Sequence, residues 1–306
     1  MLKKLIGNTT IIRGLRIRAD KNKFPTSTIQ SKIFAPVTTT DEKNTIHNAE
    51  YLKMQGKKVT LMDQIDKNAG LRDYLTNIYK KSGYGFGVSL CVGTVAPLAV
   101  MSMGIASVAP ALWIANVPFG FYSIYKLTKL KSETINKDNK LTEKEDPEKN
   151  NWYNLFSISN GITISPAIFY SFAISPTVMP IALACTGGVF AASTMYALKK
   201  KNLSLVQYQG PLVGCVGGLI CSGLVQLLMM ALGYHNASWM LGMGTTVLST
   251  GIFSALIAVD THMAIKSYED KQLDSVGIAL NILLDVTNLF LDLLRIIGEL
   301  TKAYKD

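Results

Sequence analysis

Charged residues are scarce in this sequence, and their scarcity limits what the chain can be. Only 17% of the 306 residues are Asp, Glu, Lys or Arg, and most of these lie before Lys81 or between residues 126 and 149. Elsewhere apolar stretches of about 20 residues follow one another, which is the length that crosses about 30 Å of hydrocarbon as an α-helix. This distribution argues against two soluble domains and predicts an all-α, polytopic membrane protein.

Cysteine and histidine are also few, with four and three residues respectively. All four cysteines fall within apolar stretches, and no two have the spacing of metal ligands. The sequence lacks a Gly-rich phosphate loop and a nucleophile motif in a plausible context. We therefore expect no enzymatic activity, no catalytic residue and no resident cofactor. The net charge of +10 belongs largely to loops and to the N-terminal tail, so nucleic-acid binding is not expected.

Seven membrane spans are predicted, with six or eight left open because some stretches are nearly fused. They lie near Tyr84–Gly104, Ser107–Leu127, Tyr153–Ser175, Pro176–Leu198, Gly210–Tyr234, Ser238–Ile265 and Val276–Ile297. Basic residues alternate between the connections: residues 126–149 hold seven lysines among six acids, residues 199–201 are three lysines, and two more lie in 266–271. The other three connections lack Lys and Arg. This positive-inside pattern predicts an inner N-terminus and an outer C-terminus.

The predicted extension, residues 1–82, starts with a basic segment. Residues 1–19 contain five basic residues and no acid, interleaved with Leu and Ile. That composition is typical of a mitochondrial presequence, and the alternative is a basic tail that contacts lipid headgroups. Residues 20–70 have too little apolar surface to order themselves, so order there would require another polypeptide. Thr39 and Glu42 predict a short capped helix, and Leu71, Leu75 and Ile78 predict an interfacial helix.

Small residues recur every four positions in the fifth span, at Gly210, Gly214, Gly218 and Ser222. A ridge of small residues lets helix backbones approach closely where lipid offers no hydrophobic drive. The ridge is expected to pack within the bundle, with a dimer seam as the alternative.

A polar seam runs along the seventh span, formed by Asn281, Asp285, Asn288 and Asp292. Their spacing of four, three and four residues places them on one face of an otherwise apolar helix. A carboxylate facing lipid at the depth of Asp285 costs several kcal/mol, so the seam is expected to face the bundle interior or water. Asp292 is expected to pair with Arg295 one turn further on.

A second acid, Asp260, lies in the sixth span. Counted from a turn over residues 266–274, Asp260 lies about 9 Å deep and Asp285 about 16 Å. Two nearby carboxylates in a medium of low dielectric cannot both ionise cheaply, so they are expected to share a proton that a cation could replace. The alternative is that hydroxyls, amides or a lysine satisfy the acids. His262 is expected at headgroup level.

The segments around these two acids resemble the signature of the Bax inhibitor, or transmembrane Bax-inhibitor-motif, family. They read A-V-D-T around Asp260 and L-D-V-T-N-L-F-L-D-L-L-R from Leu284 to Arg295. The similarity extends over residues 71–298 and is most specific in the last two spans. It implies a domain over residues 83–298 in which six helices wrap around a central seventh, followed by a tail over 299–306.

The resemblance also implies a function. In this family the aspartates corresponding to Asp260 and Asp285 form a pH sensor that controls a Ca²⁺ leak or Ca²⁺/H⁺ exchange, which makes Ca²⁺ the ion expected here. The mitochondrial branch, that of growth-hormone-inducible transmembrane protein, also carries a long basic extension and is linked to respiratory-complex integrity. It implies the mitochondrial inner membrane, with the N-terminus in the matrix and the C-terminus in the intermembrane space.

Two hypotheses follow from the sequence. The first is a pH-sensitive Ca²⁺ or Ca²⁺/H⁺ pathway through Asp260 and Asp285. The second is a non-catalytic accessory subunit of a large inner-membrane assembly such as a respiratory complex. The expected partners are membrane lipid and, for the second hypothesis, other membrane-protein subunits that hold the N-terminal extension.

Overall fold

The computed structural model describes residues 60–102, 109–137, 140–144, 146–200 and 202–305. These form a mainly helical unit that begins at Thr60. The elements in chain order are α1 (Leu61–Lys67), α2 (Ala69–Ser102), α3 (Ala109–Lys129), β1 (Glu133–Lys137), β2 (Lys140–Lys144), α4 (Pro147–Ile174), α5 (Val178–Leu198), a 3-10 helix (Ser204–Tyr208), α6 (Gln209–Ala231), α7 (His235–Glu269) and α8 (Ser275–Lys305).

Five segments of the described chain are helical, long and apolar enough to cross a membrane. They are Ala69–Val100, Val178–Leu198, Ser204–Ala231, His235–Glu269 and Ser275–Lys305. Helices α3 and α4 occupy the second and third predicted spans, with 21 and 28 residues, but are not among the five. Helix α4 contains four Asn and four Ser, which lower its mean hydropathy. The prediction of a polytopic α-helical membrane protein is thus confirmed.

Helix α8 lies at the centre of the packing. It contacts α2, α4, α5 and α7, while α3 packs on α4 and α6 packs on α7. Leu283, Leu289 and Phe290 of α8 are fully buried. Of the five apolar segments α8 is the most buried and α6 the least. Four of the other long helices therefore contact α8 directly.

Helices α2 and α4 pack with their backbones close together. A Cβ on Gly161 would lie 2.6 Å from the Ser89 carbonyl oxygen and 2.7 Å from Val92 Cβ. The Ser89 hydroxyl donates to the carbonyl of Ser157 across the same contact, at 2.8 Å. Glycine is needed at position 161 because no side chain fits between the two helices there.

A β-hairpin, which the sequence analysis did not predict, interrupts the lysine-rich connection. Strands β1 and β2 pair antiparallel from Glu133 opposite Lys144 to Lys137 opposite Lys140. The hairpin reaches the start of α8, where the Ser275 amide donates to Glu143 Oε2 at 2.9 Å. A carboxylate is favourable at this position because the N-terminus of a helix carries partial positive charge.

The connection between α7 and α8 is held by a buried lysine. Lys149, in the first turn of α4, is 1% exposed and lies 2.8 Å from Asp274 Oδ1. Asp274 also accepts a hydrogen bond from the Gly277 amide at 2.8 Å, as an N-cap residue does. The sequence analysis had counted Lys149 among the loop lysines.

The start of the described chain differs from the expected interfacial helix. Leu71, Leu75 and Ile78 do form one apolar stripe, but they are buried in the core on a helix that continues into the first span. Before it, α1 begins with a capping box between Thr60 and Asp63. The predicted boundary at residues 82 and 83 falls inside α2, and α8 continues to Lys305 through the predicted tail.

Other predictions lie outside the described residues. The basic segment 1–19 and the short helix at Thr39 and Glu42 fall in residues 1–59. The predicted need for a polypeptide that orders residues 20–70 can be compared only over residues 60–70, where Leu61 and Ile65 of α1 pack in the core of this chain.

The small-residue ridge of α6 does not pack as expected. A Cβ added to Gly210, Gly214 or Gly218 would have no atom of the described residues within 4 Å beyond its own helix. Ser222, the fourth member, is half-buried and receives a long hydrogen bond of 3.5 Å from Gln226 on the same helix. The prediction of packing within the bundle was wrong, because periodicity shows which residues share a face but not what that face meets.

Candidate functional site

Both acids of the predicted ion site are buried. Asp260 on α7 is 1% exposed and Asp285 on α8 is 2% exposed, and their helices pack against each other. Asp260 lies nine residues before the end of α7 and Asp285 ten residues after the start of α8. At 1.5 Å per residue, they lie about 14 and 15 Å along their helices.

The predicted offset between the acids was therefore too large. Helix α7 continues to Glu269, whereas the sequence analysis started the turn at Lys266. Lys266 is compatible with the last helical turn because a cation is favourable near a helix C-terminus. With the shorter connection, Asp260 and Asp285 lie at nearly the same level of the hairpin.

The surroundings of Asp260 come from α2 and α5. Tyr79 of α2 lies close enough to Asp260 to interact with it electrostatically, and its hydroxyl hydrogen-bonds Thr261 Oγ1 at 3.0 Å. Its ring packs edge-on against Phe190 of α5, with centroids 5.9 Å apart. An aromatic hydroxyl therefore borders the acid inside the bundle.

His262 lies inside the helix packing. It is fully buried, and its Nε2 lies 2.9 Å from the carbonyl oxygen of Ala197 at the end of α5. Its level relative to the headgroups stays a prediction, because burial between helices does not fix depth in a membrane. His262 joins α7 to α5, two residues from Asp260.

A second polar network surrounds the level of Asp285. Asn160 of α4 donates to Ser89 Oγ of α2 and to Thr287 Oγ1 of α8, both at 3.1 Å. All three of these residues are buried. The network ties α2 and α4 to the central helix two residues from Asp285, and it rests on contacts between spans that periodicity does not reveal.

The remaining seam residues are less enclosed. Asn281, Asn288 and Asp292 are half-buried, so the seam is most enclosed at Asp285. Asp292 hydrogen-bonds Ser249 of α7 and lies in the electrostatic range of Arg295. The other Asp292 oxygen, Oδ2, is buried without a hydrogen-bond partner among the described residues.

Arg295 reaches from α8 towards α6 and α7. A Cβ on Gly242 of α7 would collide with its Nη2 and would lie 2.9 Å from Gln226 Oε1 of α6. Gln226 in turn donates to Thr245 Oγ1 at 3.0 Å. The seam thus ends in a polar cluster shared by three helices, with glycine leaving room for the guanidinium.

Asp260 and Asp285 do not by themselves provide the ligands of a closed metal site. In the part of the chain that the structure describes, no group of three or more His, Cys, Asp or Glu side chains is placed to hold a metal ion. Ca²⁺ takes six to eight oxygen ligands. At Asp260 and Asp285 a Ca²⁺ ion would have to complete its shell with hydroxyls, carbonyls and water.

The sequence carried one signal that places Lys149, whose role was not predicted, at the start of a helix. Asp146 followed by Pro147 is a strong helix start, and the structure shows Asp146 accepting from the Glu148 amide. That start places Lys149 within the first turn of α4, although its burial against Asp274 depends on a contact 125 residues away.

Comparison with known proteins agrees with this arrangement. The profile of the family described as "Inhibitor of apoptosis-promoting Bax1" matches residues 71–302, which include α2 to α8 almost completely. The chain belongs to the Bax inhibitor family. The predicted resemblance is thereby confirmed, and the matched region contains both Asp260 and Asp285.

Individual relatives of the Bax inhibitor family are distant. Human Bax inhibitor 1 is 24% identical over 152 residues, which cover 49% of this chain and 60% of the relative. Bovine Bax inhibitor 1 is 23% identical over 152 residues, covering 49% and 61%. An uncharacterised membrane protein of Streptococcus pyogenes serotype M1 is 25% identical over 237 residues, covering 76% and 95%. The chain thus spans about 60% of the length of the Bax inhibitor 1 proteins that it matches.

Proposed function

We propose that this Bax inhibitor family protein is a pH-sensitive pathway for Ca²⁺, by leak or by exchange with protons, in which Asp260 and Asp285 bind the ion. The observation that carries the proposal is the burial of two carboxylates at nearly the same level of two packed antiparallel helices. Buried ionisable residues in spans are costly and mark ion or proton pathways. The proposal assigns no catalytic residue and no resident cofactor.

The pH sensitivity arises because protons and Ca²⁺ compete for the same two carboxylates. Each acid can carry a proton or contribute charge to a cation, and two close carboxylates favour holding at least one proton between them. A cation must displace that proton in order to bind. The Thr261 hydroxyl donates to the Ile257 carbonyl at 3.0 Å, so the Tyr79 hydroxyl donates to Thr261 Oγ1, and the Tyr79 oxygen can accept from a protonated acid.

The experiment is Ca²⁺ flux into liposomes that contain the purified full chain, measured with Asp260→Asn and Asp285→Asn. Each variant keeps the side-chain shape and removes one charge. We expect flux to fall at least about tenfold, because losing one ligand charge in a medium of low dielectric weakens cation binding by more than about 1.4 kcal/mol. Asp270→Asn, at the exposed end of α7, is the matched control. Equal flux in all three variants would refute the proposal.

We further propose seven spans, with α3 and α4 crossing the membrane in addition to the five apolar segments. The contacts of α3 with α4 and of α4 with α2, α5 and α8 support this, since α4 lies inside the helix packing. The remaining helices then surround α8, four of them in direct contact. The alternation of lysine-rich and lysine-free connections supports an inner N-terminus and an outer C-terminus.

The proposed location is the mitochondrial inner membrane, with the N-terminus in the matrix and the C-terminus in the intermembrane space. It rests on the acid-free basic composition of residues 1–19. Imaging of the tagged full chain beside an inner-membrane marker tests it, and a chain that lacks residues 1–19 should lose the co-localisation. If the shortened chain still co-localised with the inner-membrane marker, residues 1–19 would not be the targeting signal, and the proposed location would lose its support.

The composition of the extension favours a second candidate, an accessory subunit of a large inner-membrane assembly. Residues 20–59 are polar and have few aromatic side chains, so a partner subunit would have to order them. Gentle detergent extraction, followed by native electrophoresis and mass spectrometry, tests this candidate. Recovery only within a respiratory assembly would favour it, and migration alone or as a small oligomer would contradict it.

A further inference from the structure

A lateral groove opens between α5 and α6. Both helices pack on α7, which forms the floor, and the 3-10 helix closes one end. The cavity measures about 590 Å³, and its floor consists of Ser254, Ala255, Ala258 and Val259. Two alanines in this floor leave the space that larger side chains would fill.

The groove lies just below one end of the bundle. Its walls include Tyr196, two residues before the end of α5, and Cys215, six residues after the start of α6. It therefore extends about 9 Å along α6 from the end that carries the three lysines 199–201. The floor residues lie 10 to 15 residues before the end of α7, so the groove runs from the lysine-bearing ends of α5 and α6 towards the level of Asp260.

The mouth of the groove carries aromatic and cationic groups. Lys200 Nζ lies 4.5 Å from the ring centroid of Tyr196, and Lys199 is exposed at the end of α5. Tyr196 and Tyr208 are 54% and 51% exposed. Tyrosine and lysine at such a position anchor proteins at the headgroup level of a membrane.

The charge at the mouth is positive along the chain, and the acids of α1 lie nearby, since the Leu61 amide at the start of α1 donates to the Lys200 carbonyl at 2.9 Å. No Asp or Glu occurs between Glu148 and Asp260, so the lysines 199–201 stand in a run of 111 residues without an acid. Lysines near a membrane surface attract anionic lipids by about 1 kcal/mol each. An anionic headgroup is therefore the complementary neighbour for this mouth.

We propose that the groove binds one acyl chain of an anionic phospholipid, whose phosphate is held by Lys199 and Lys200. The lining is mainly apolar, as an acyl chain requires, and Lys200 lies over Tyr196 at its mouth. This binding does not depend on the proposed cation pathway.

The test is native mass spectrometry of the purified full chain, titrated with phosphatidylglycerol or with phosphatidylcholine of identical acyl chains. We expect one phosphatidylglycerol to be retained at least about fivefold more tightly than phosphatidylcholine. Lys200→Gln should reduce that preference about fivefold, which corresponds to the loss of about 1 kcal/mol. Lys129→Gln is the matched control, because its Nζ also lies over a tyrosine ring, 4.7 Å from the centroid of Tyr125.

A second pair of variants tests the apolar part of the site. Ala255→Phe fills the floor and should reduce retention of both lipids at least about tenfold, whereas Leu224→Phe on the exposed face of α6 should not. If Ala255→Phe fails to fold, Ala192→Leu narrows the same groove from α5. Equal retention of the two lipids by the wild type, or unchanged retention in the groove variants, would overturn the proposal.

Discussion

Lys149 shows how a single buried charge can join distant parts of this chain. Its side chain is 2% exposed, and its ammonium lies 2.8 Å from Asp274 Oδ1 and 3.0 Å from Ser132 Oγ. Asp274 is 44% exposed and also caps α8. The two partners differ in burial, so their removal should have different costs.

We predict that Asp274→Asn destabilises the protein more than Lys149→Met. Asparagine keeps the helix cap but leaves the buried ammonium without its carboxylate, which should lower the free energy of unfolding by about 3–5 kcal/mol. Lys149→Met leaves a carboxylate that water can reach and should cost about 1–3 kcal/mol. Denaturant unfolding in mixed micelles, followed by tryptophan fluorescence, measures both.

The double variant Lys149→Met with Asp274→Asn is the control for this pair. Because it leaves no uncompensated charge, it should lose less than the sum of the two single variants. Additive losses, or equal losses in the two single variants, would show that the pair does not act as an ion pair.

At the scale of elements, the contact between α2 and α4 depends on glycine. We predict that Gly161→Ala lowers the free energy of unfolding by about 1–3 kcal/mol or more, because the added methyl would meet backbone and Cβ atoms of α2 that cannot turn away. The same unfolding assay measures the loss.

Gly214→Ala is the matched control, since a Cβ at this position of α6 would have no atom of the described residues within 4 Å beyond its own helix. It should change stability by at most about 1 kcal/mol, and in the stabilising direction, because alanine is the better helix former. A control variant as unstable as Gly161→Ala would contradict the prediction, because the loss at position 161 could then not be assigned to the tight contact with α2.

The elements that the sequence predicted best are the apolar runs, because a chain segment surrounded by lipid can satisfy its backbone hydrogen bonds only as a helix. An apolar run of 20 residues must satisfy its own backbone hydrogen bonds, so a helix was expected and five such helices are present. The burial of Asp285 was predictable for a related reason, since a lipid-facing carboxylate at that depth is too costly. Both arguments use only local composition and the properties of the membrane.

The features that the sequence did not predict depend on partners far along the chain. The hairpin over residues 133–144 has no apolar run, and Glu143 and Thr134 contact backbone amides at the start of α8 and just before it. His262 is buried because its ring meets a carbonyl on α5, 65 residues away. Local pattern cannot show such contacts, and the same limit applies to the α6 ridge.

At the scale of the whole molecule, the proposed topology predicts which connections share a side. Single cysteines placed in a cysteine-free background at Gln272, in the connection after α7, and at Asn236, in the exposed first turn of α7, should react with a membrane-impermeant maleimide from opposite sides. Gln272→Cys should be labelled from the side of the lysine-rich connections. Labelling of both positions from one side would contradict the span between them.

The measurement that tests the central claim most directly is Ca²⁺ flux in liposomes as a function of Ca²⁺ concentration and pH. If a cation displaces a proton shared by Asp260 and Asp285, half-maximal flux in the wild type should need less Ca²⁺ as the pH rises. Asp285→Asn should abolish that dependence together with most of the flux, and Asp270→Asn should retain both. A wild type without pH dependence, or an Asp285→Asn variant with the same dependence as the wild type, would contradict the account.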